Sequence, residues 1–419
     1  MQVDTLANQI SVPRKSSFLA TIFREGLKKK FKDIKYGFIT VSDMDESFSF
    51  GDVDSINKVS INIYSREFYI FAGSGGGLGI AEAYILGYWS CEDMLKLNQI
   101  VLRNRNILLG LDKGFARLMG PVNRLIHRRR QNTLKGSKEN ILAHYDLSNE
   151  FYQLWLDPSM TYSCGFFINS NVSLEEASIE KIDRICRKLD LSSKDSVLEI
   201  GTGWGSFSLH AAKNYNCNIT TTTISDAQFE FASSRIREEG LESQIKIINK
   251  DYRELDGVYD KIVSIEMIEA VGHEFIPEFF SKLSSLLKPD GLIGLQGITY
   301  NGNDFDRYKN EVDFIKKYIF PGSCLISLAQ ISSTIKKKTD LSLVDMEDIT
   351  RHYAETLKRW RNNFINKLPD IKKMGYSKAF INMWEYYFLF CEAGFLERNI
   401  GDVQLIFAKS GVRDLTIKY

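Results

Sequence analysis

From Asp195 onward the chain alternates strand-like and helix-like segments, and this alternation limits the folds open to it. "DSVLEIG" reads as a buried strand, "WGSFSLHAAKNY" as a helix, "CNITTTTI" as a second strand and "SDAQFEFASSRIREEG" as a second helix. "QIKIINKDY", "YDKIVSIEMI" and "GLIGLQGIT" read as further strands, with the helix "IPEFFSKLSSLLK" before the last. Short apolar strands separated by amphipathic helices predict a doubly wound α/β sheet. Two helical stretches, "HYAETLKRWRNNFINKL" and "YSKAFINMWEYYFLFCEAGFLERN", precede a final strand, "DVQLIFAKS"; the rings of the second read as core filling.

The first strand of this array runs into "VLEIGTGWGSF", which puts Gly201, Gly203 and Gly205 at the strand-to-helix turn. Glycine permits the strained turn and lets a ligand approach the backbone. The spacing is GxGxG rather than the GxGxxG of dinucleotide sites, and Glu199 stands just before it. Such a loop suits S-adenosylmethionine (SAM), which carries no pyrophosphate; a nicotinamide site or an idle loop is the alternative.

The chain has 419 residues, enough for two or three domains. The first third reads differently from the rest. "YGFITV", "SFSF", "KVSINIYS" and "REFYIFAG" suggest a small antiparallel unit, and "GSGGGLGIAEAYILGYW" a tight turn into a helix. Helical spacing follows from Glu92 to Ile126. Between Arg103 and Lys138 lie ten Lys/Arg, Arg128, Arg129 and Arg130 among them, against one acid, Asp112. This is either a solvated linker or a basic surface for anionic lipid headgroups. A net charge of +1 argues against nucleic acid as a partner. The six cysteines show no metal-ligand spacing, so no metal site is expected and a reducing, cytoplasmic setting is. The N-terminus has no apolar signal core, and no run is long enough to span a bilayer.

"HYDLSNEFYQLWLDPSMTYSC", "VLEIGTGWGS", "TTISDAQ", "DYREL", "SIEMIEAVGHE", "YIFPGSCL" and "HYAETLKRW" together resemble the cyclopropane fatty acid synthases. The resemblance implies a Rossmann-like class I SAM methyltransferase domain over residues 139–419. It implies a small α+β accessory domain for membrane docking over residues 1–130. It also implies methyl transfer from SAM to unsaturated acyl chains of phospholipids, at the inner membrane face, with a homodimer left open. Tyr162 and Ser163 would touch the cofactor, and Gly201, Thr202 and Gly203 would hold its amino-acid end. Thr223, Ile224 and Gln228 would lie near the ribose and adenine edge, and Asp251 and Tyr252 near the adenine. A bicarbonate ion beside the methyl would be held by Cys164, Glu269, Gln296, Ile298 and Tyr353.

Two residues depart from the family pattern. Gln296 stands where histidine is common, and Ala270 replaces the His of a "FEHVG"-like segment. Glutamine donates a hydrogen bond to an oxyanion but cannot carry a proton as imidazole can. Cys164 has no activating cation nearby in sequence, so it reads as a polar wall rather than a nucleophile, with plain packing as the alternative. His144 reads as a structural hydrogen-bonder, and Glu269 as catalytic or ion-orienting, with a helix cap as its alternative. Methyl transfer to an alkene leaves a carbocation that aromatic faces such as Tyr162 and Tyr353 would stabilise. Proton loss then closes the ring. Three rival readings are a methylene-branching lipid enzyme, a small-molecule N-methyltransferase and a non-enzymatic lipid-binding protein.

Overall fold

Near the N-terminus, buried and exposed residues alternate along β1 (Phe38–Ser42), β2 (Ser47–Gly51) and β3 (Lys58–Ile63), so each strand offers one face to a core. With β4 (Trp89–Cys91) they form a sheet of order β2-β1-β3-β4. A computed structural model describes Ile10, residues 17–105 and residues 147–419, and divides the protein into two units. The first holds Met1–Arg129, Asn310–Ile319 and Trp360–Asn399, so it draws in two segments remote in sequence. The second holds Arg130–Lys309, Phe320–Arg359 and Ile400–Tyr419.

Three expectations for the first unit are corrected. Its sheet is mixed, because β1 runs parallel to β3 while its other neighbour, β2, is antiparallel. "REFYIFAG" is no strand: helix Glu67–Ile85 begins there. The glycine run lies inside that helix and kinks it at Gly76, whose φ of 58° suits glycine. A Cβ on Gly73 would fall 2.2 Å from the Phe23 ring, and one on Gly79 would fall 1.9 Å from the Phe71 carbonyl oxygen. These glycines therefore serve close packing, not a loop. Helix Lys378–Leu396 seals the unit: Asn382 Nδ2 donates to the Ile85 carbonyl (3.2 Å), and Arg103 forks onto Glu397 (2.8 and 2.9 Å). Its rings fill core, as expected, with Trp384 and Phe388 almost wholly buried. The basic stretch beyond Arg105, Arg128, Arg129 and Arg130 included, lies outside the described residues, as does His144.

The second unit is built on β5 (Ser196–Ile200), β6 (Asn218–Thr223), β7 (Ile245–Asn249), β8 (Tyr259–Ile265), β9 (Leu287–Tyr300), β10 (Leu341–Asp348) and β11 (Ile400–Lys409). Their order is β10-β11-β9-β8-β5-β6-β7, with β5 to β9 parallel and β11 antiparallel to both neighbours. Neighbouring side chains point to opposite faces. Leu198, Ile262, Leu295 and Phe407 pack under helix Ile276–Leu286 with its Phe279 and Phe280. Val197, Val263, Leu292 and Ile406 pack under Ile182 and Ile185 of helix Leu174–Lys188 and Phe207 of helix Ser206–Tyr215. Burial on both faces explains why these strands read as continuous apolar runs.

Strand β10 carries no such run and was not anticipated. Its pattern is mostly exposed, and its acids Asp345 and Glu347 pair with the fully buried Lys188 (3.2 and 2.7 Å). An edge strand joined to β11 by its backbone, with mostly exposed side chains, lacks the hydrophobic alternation that marks strands in sequence.

Candidate active site

Open α/β sheets bind ligands beyond the carboxyl ends of their parallel strands. Here the residues expected to hold SAM fall at three such ends. Gly201, Thr202 and Gly203 follow β5, Thr223 and Ile224 end and follow β6, and Asp251 and Tyr252 follow β7. Gln228 lies in the first turn of helix Asp226–Glu238. Gly201, Gly203 and Gly205 all have positive φ (101°, 53° and 91°). Nothing lies within 4 Å of where a Cβ on Gly203 would sit, so the loop borders open space there. Thr223 Oγ1 donates to Gln228 Oε1 (3.0 Å), which ties the second strand end to its helix. Asp251 is already engaged by Arg253 (2.8 Å), and the Tyr252 ring packs edge-on against Phe279. Behind the loop, Glu199 accepts from Ser208 (2.5 Å) and Thr221 (2.6 Å), and burial pushes it up to about 7.

The ring-rich segment is pinned over this loop. Trp204 Nε1 donates to Asn149 Oδ1 (2.8 Å), and Arg235 donates to the carbonyls of Ser159 and Trp204 (both 2.9 Å). Tyr152 is thereby set 5.1 Å from the Trp204 ring, with Trp155 and Tyr162 joining the cluster at 5.6 Å from Tyr152. Trp204, directly after Gly203, joins this ring cluster to the glycine loop, and aromatic faces suit a cationic ligand. Ser163 accepts from the buried Lys181 Nζ (2.7 Å).

The residues expected to hold an anion converge, but on a group that sequence reasoning passed over. Glu266, at the carboxyl end of β8, accepts at Oε1 from the Cys164 backbone N–H (2.8 Å) and Gln296 Nε2 (2.7 Å), and at Oε2 from the Tyr353 hydroxyl (2.5 Å). The Ile298 backbone N–H donates instead to Glu269 Oε1. Gln296 Nε2 also reaches Asp402 Oδ2 (3.2 Å), and Gln404 Nε2 donates to Gln296 Oε1 (3.1 Å). Glu266, Asp402, Lys181 and Gln404 were thus missed. The spacing of Glu266 and Glu269 in "SIEMIEAVGHE" gave a hint of Glu266, whereas Asp402 and Gln404 lie on β11 and come to Gln296 only through strand pairing.

The half-buried Glu266 and the buried Glu269 and Asp402 form a carboxyl cluster, and the buried Lys181 acts on Glu266 and Asp402. Burial, then repulsion from Glu266, pushes Glu269 up to about 8, and burial drives Asp402 well above the carboxylate range. Burial raises Glu266 too, but Lys181, the Tyr353 hydroxyl, the Cys164 amide and Gln296 all oppose it. Of the three, Glu266 draws the most donors, the Cys164 amide, Gln296 and the Tyr353 hydroxyl, against the Ile298 amide for Glu269 and Gln296 for Asp402. Burial also pushes the Cys164 thiol far up, so Cys164 is no nucleophile.

Over residues 132–405 the sequence matches the mycolic acid cyclopropane synthetase family. A tuberculostearic acid methyltransferase of Mycobacterium tuberculosis is 34% identical over 333 residues, covering 77% of each chain. The cyclopropane-fatty-acyl-phospholipid synthase of Escherichia coli is 32% identical over 351 residues, covering 83% of this chain and 87% of the relative. This chain belongs to the mycolic acid cyclopropane synthetase family. The solved structure of a mycolic acid cyclopropane synthase bound to SAH and CTAB superposes with a TM-score of 0.61 at 28% identity, covering 65% of this chain and 98% of that one. The protein is an α/β SAM-dependent methyltransferase of that family.

Two groups expected of this family member meet different residues. The open, positive-φ glycine loop and the aromatic wall fit SAM. Bicarbonate does not fit: its expected donors, the Cys164 and Ile298 amides, Gln296 and Tyr353, already serve the protein's own carboxylates. The buried atoms of this set left without a hydrogen-bond partner are oxygens, Glu269 Oε2, Asp402 Oδ1 and Gln404 Oε1, rather than N–H groups.

Proposed function

We propose that this protein methylates the double bond of unsaturated acyl chains in phospholipids and closes a cyclopropane ring. The observation that carries the reading is the aromatic wall of Tyr152, Trp155, Tyr162 and Trp204 beside the open glycine loop. When bound, SAM supplies an electrophilic methyl group. Gly201, Thr202 and Gly203 would take its amino-acid end, Thr223, Ile224 and Gln228 its ribose and adenine edge, and Asp251 and Tyr252 the region beyond. The wall excludes water and stabilises the cationic acyl chain left by methyl transfer. Cys164, Glu269, Gln296, Ile298 and Tyr353 would border the reacting carbon, with no step passing through bicarbonate.

Access to lipid is read from the first unit. No described helix is long and apolar enough to cross a membrane. Helix Ser17–Phe31 exposes Phe18 (73%), Leu19 and Ile22, and its last turn carries Lys28, Lys29 and Lys30. Apolar side chains beside a basic turn suit a peripheral contact with an anionic bilayer.

The test is product analysis by mass spectrometry after incubation with SAM and vesicles of monounsaturated phospholipid. The expected product is one methylene unit heavier, carries no double bond and resists ozonolysis. An ozone-cleavable methylene branch would replace ring closure with the branching reaction, and no lipid product would sink the lipid reading.

A further inference from the structure

We propose that the Glu266 carboxylate is this protein's built-in oxyanion, occupying the place of a dissolved anion and accepting the proton lost at ring closure. The second half rests on the function proposed above; the first stands on geometry alone.

A carboxylate and a bicarbonate ion present the same pair of oxygens to hydrogen-bond donors. In this protein Glu266 satisfies both oxygens, with the Cys164 amide and Gln296 on one and the Tyr353 hydroxyl on the other. Enclosing an ionised carboxylate is costly unless it is hydrogen-bonded and paired, as these three donors and the Lys181 charge arrange for the half-buried Glu266. The backbone adds a second cost. Glu266 sits at φ +47°, a left-handed conformation that favours glycine. Strain of about 1–3 kcal/mol persists where the surroundings over-determine it, and such residues cluster at active sites. A side chain needed only for packing would not require both penalties.

Gln296 completes the assignment. An amide cannot take a proton, so in this chain it positions its neighbour, donating to Glu266 while Gln404 fixes its orientation. In the step itself, a C–H bond of the newly added methyl breaks. Its electron pair forms the last C–C bond of the ring and quenches the cationic carbon, and the proton passes to a Glu266 oxygen. The positive charge brought by the sulfonium leaves as that proton.

The test uses the full chain, isotopically labelled bicarbonate followed by NMR, and turnover on monounsaturated phospholipid vesicles in carbonate-depleted buffer. Wild type should bind no bicarbonate and turn over equally with and without it. Glu266→Gly removes the carboxylate and relieves the left-handed strain, so it should fold and keep SAM affinity in calorimetry. It should bind bicarbonate, lose about 10²–10⁴-fold in turnover without it, and regain activity when it is added. Glu266→Gln should lose activity comparably and not regain it, because the amide still fills the space. Three results would overturn the proposal: bicarbonate binding or dependence in wild type, full turnover by Glu266→Gly in depleted buffer, or a Glu266→Gly protein that neither binds the ion nor recovers. If wild type makes no lipid product, the substrate reading fails, while the NMR binding arm still decides the anion question.

Discussion

Glu199→Gln should change how stability depends on pH. Glu199 lies in a buried strand at 4% exposure, and one oxygen accepts from both Ser208 and Thr221. Burial raises it from an ordinary 4.5 to about 7, with the two hydroxyls and Lys181 pulling the other way. The fold therefore favours its neutral form. That preference contributes fully below about pH 4.5 and is lost as pH rises through about 7. Each pH unit between the two values is worth about 1.4 kcal/mol, so the loss is about 3 kcal/mol. At about 2 °C per kcal/mol for a unit of this size, it shifts the melting midpoint by about 6 °C. Glutamine keeps an oxygen for both hydroxyls and cannot ionise. Scanning calorimetry on SAM-free protein should show the midpoint of the variant gaining about 6 °C on that of wild type between pH 5 and pH 8. Glu269, pushed up to about 8, adds a similar slope to both proteins and cancels in the comparison. Parallel pH curves for the two proteins would refute the burial argument.

Gly203→Val puts a branched side chain into the open space at φ +53°, and calorimetry should find SAM binding lost. Tyr353→Phe removes one of the three donors to Glu266 but keeps the ring, so turnover should fall about tenfold, or about 1.4 kcal/mol, at unchanged SAM affinity. Phe18→Ser with Ile22→Ser strips the exposed apolar face of the first helix and should weaken flotation with anionic vesicles without altering SAM binding. The remaining association should fall further with salt, since surface attraction is screened over about 10 Å at 0.1 M.

The α/β alternation, the glycine turn and the ring-rich segment were all readable along the chain, because each is a local pattern. Strands buried on both faces must be apolar throughout, and a turn with positive φ needs glycine. The first unit was harder. Glycines that admit Phe23 and the Phe71 carbonyl look like loop glycines until the neighbours are known. Strand β10 was hidden because its backbone pairs with β11 while its side chains are mostly exposed and its acids face Lys188, so it shows no apolar alternation. The anion site shows the same limit most plainly. The sequence pointed to Cys164, Gln296 and Tyr353, but only the fold decides what they hold. Strand pairing brings Asp402 and Gln404 beside Ile298 and Gln296, and a left-handed turn swings Glu266 onto the shared donors. Hydrogen bonds act over about 3 Å of space, whatever the separation along the chain, so their partners are chosen by the packed structure.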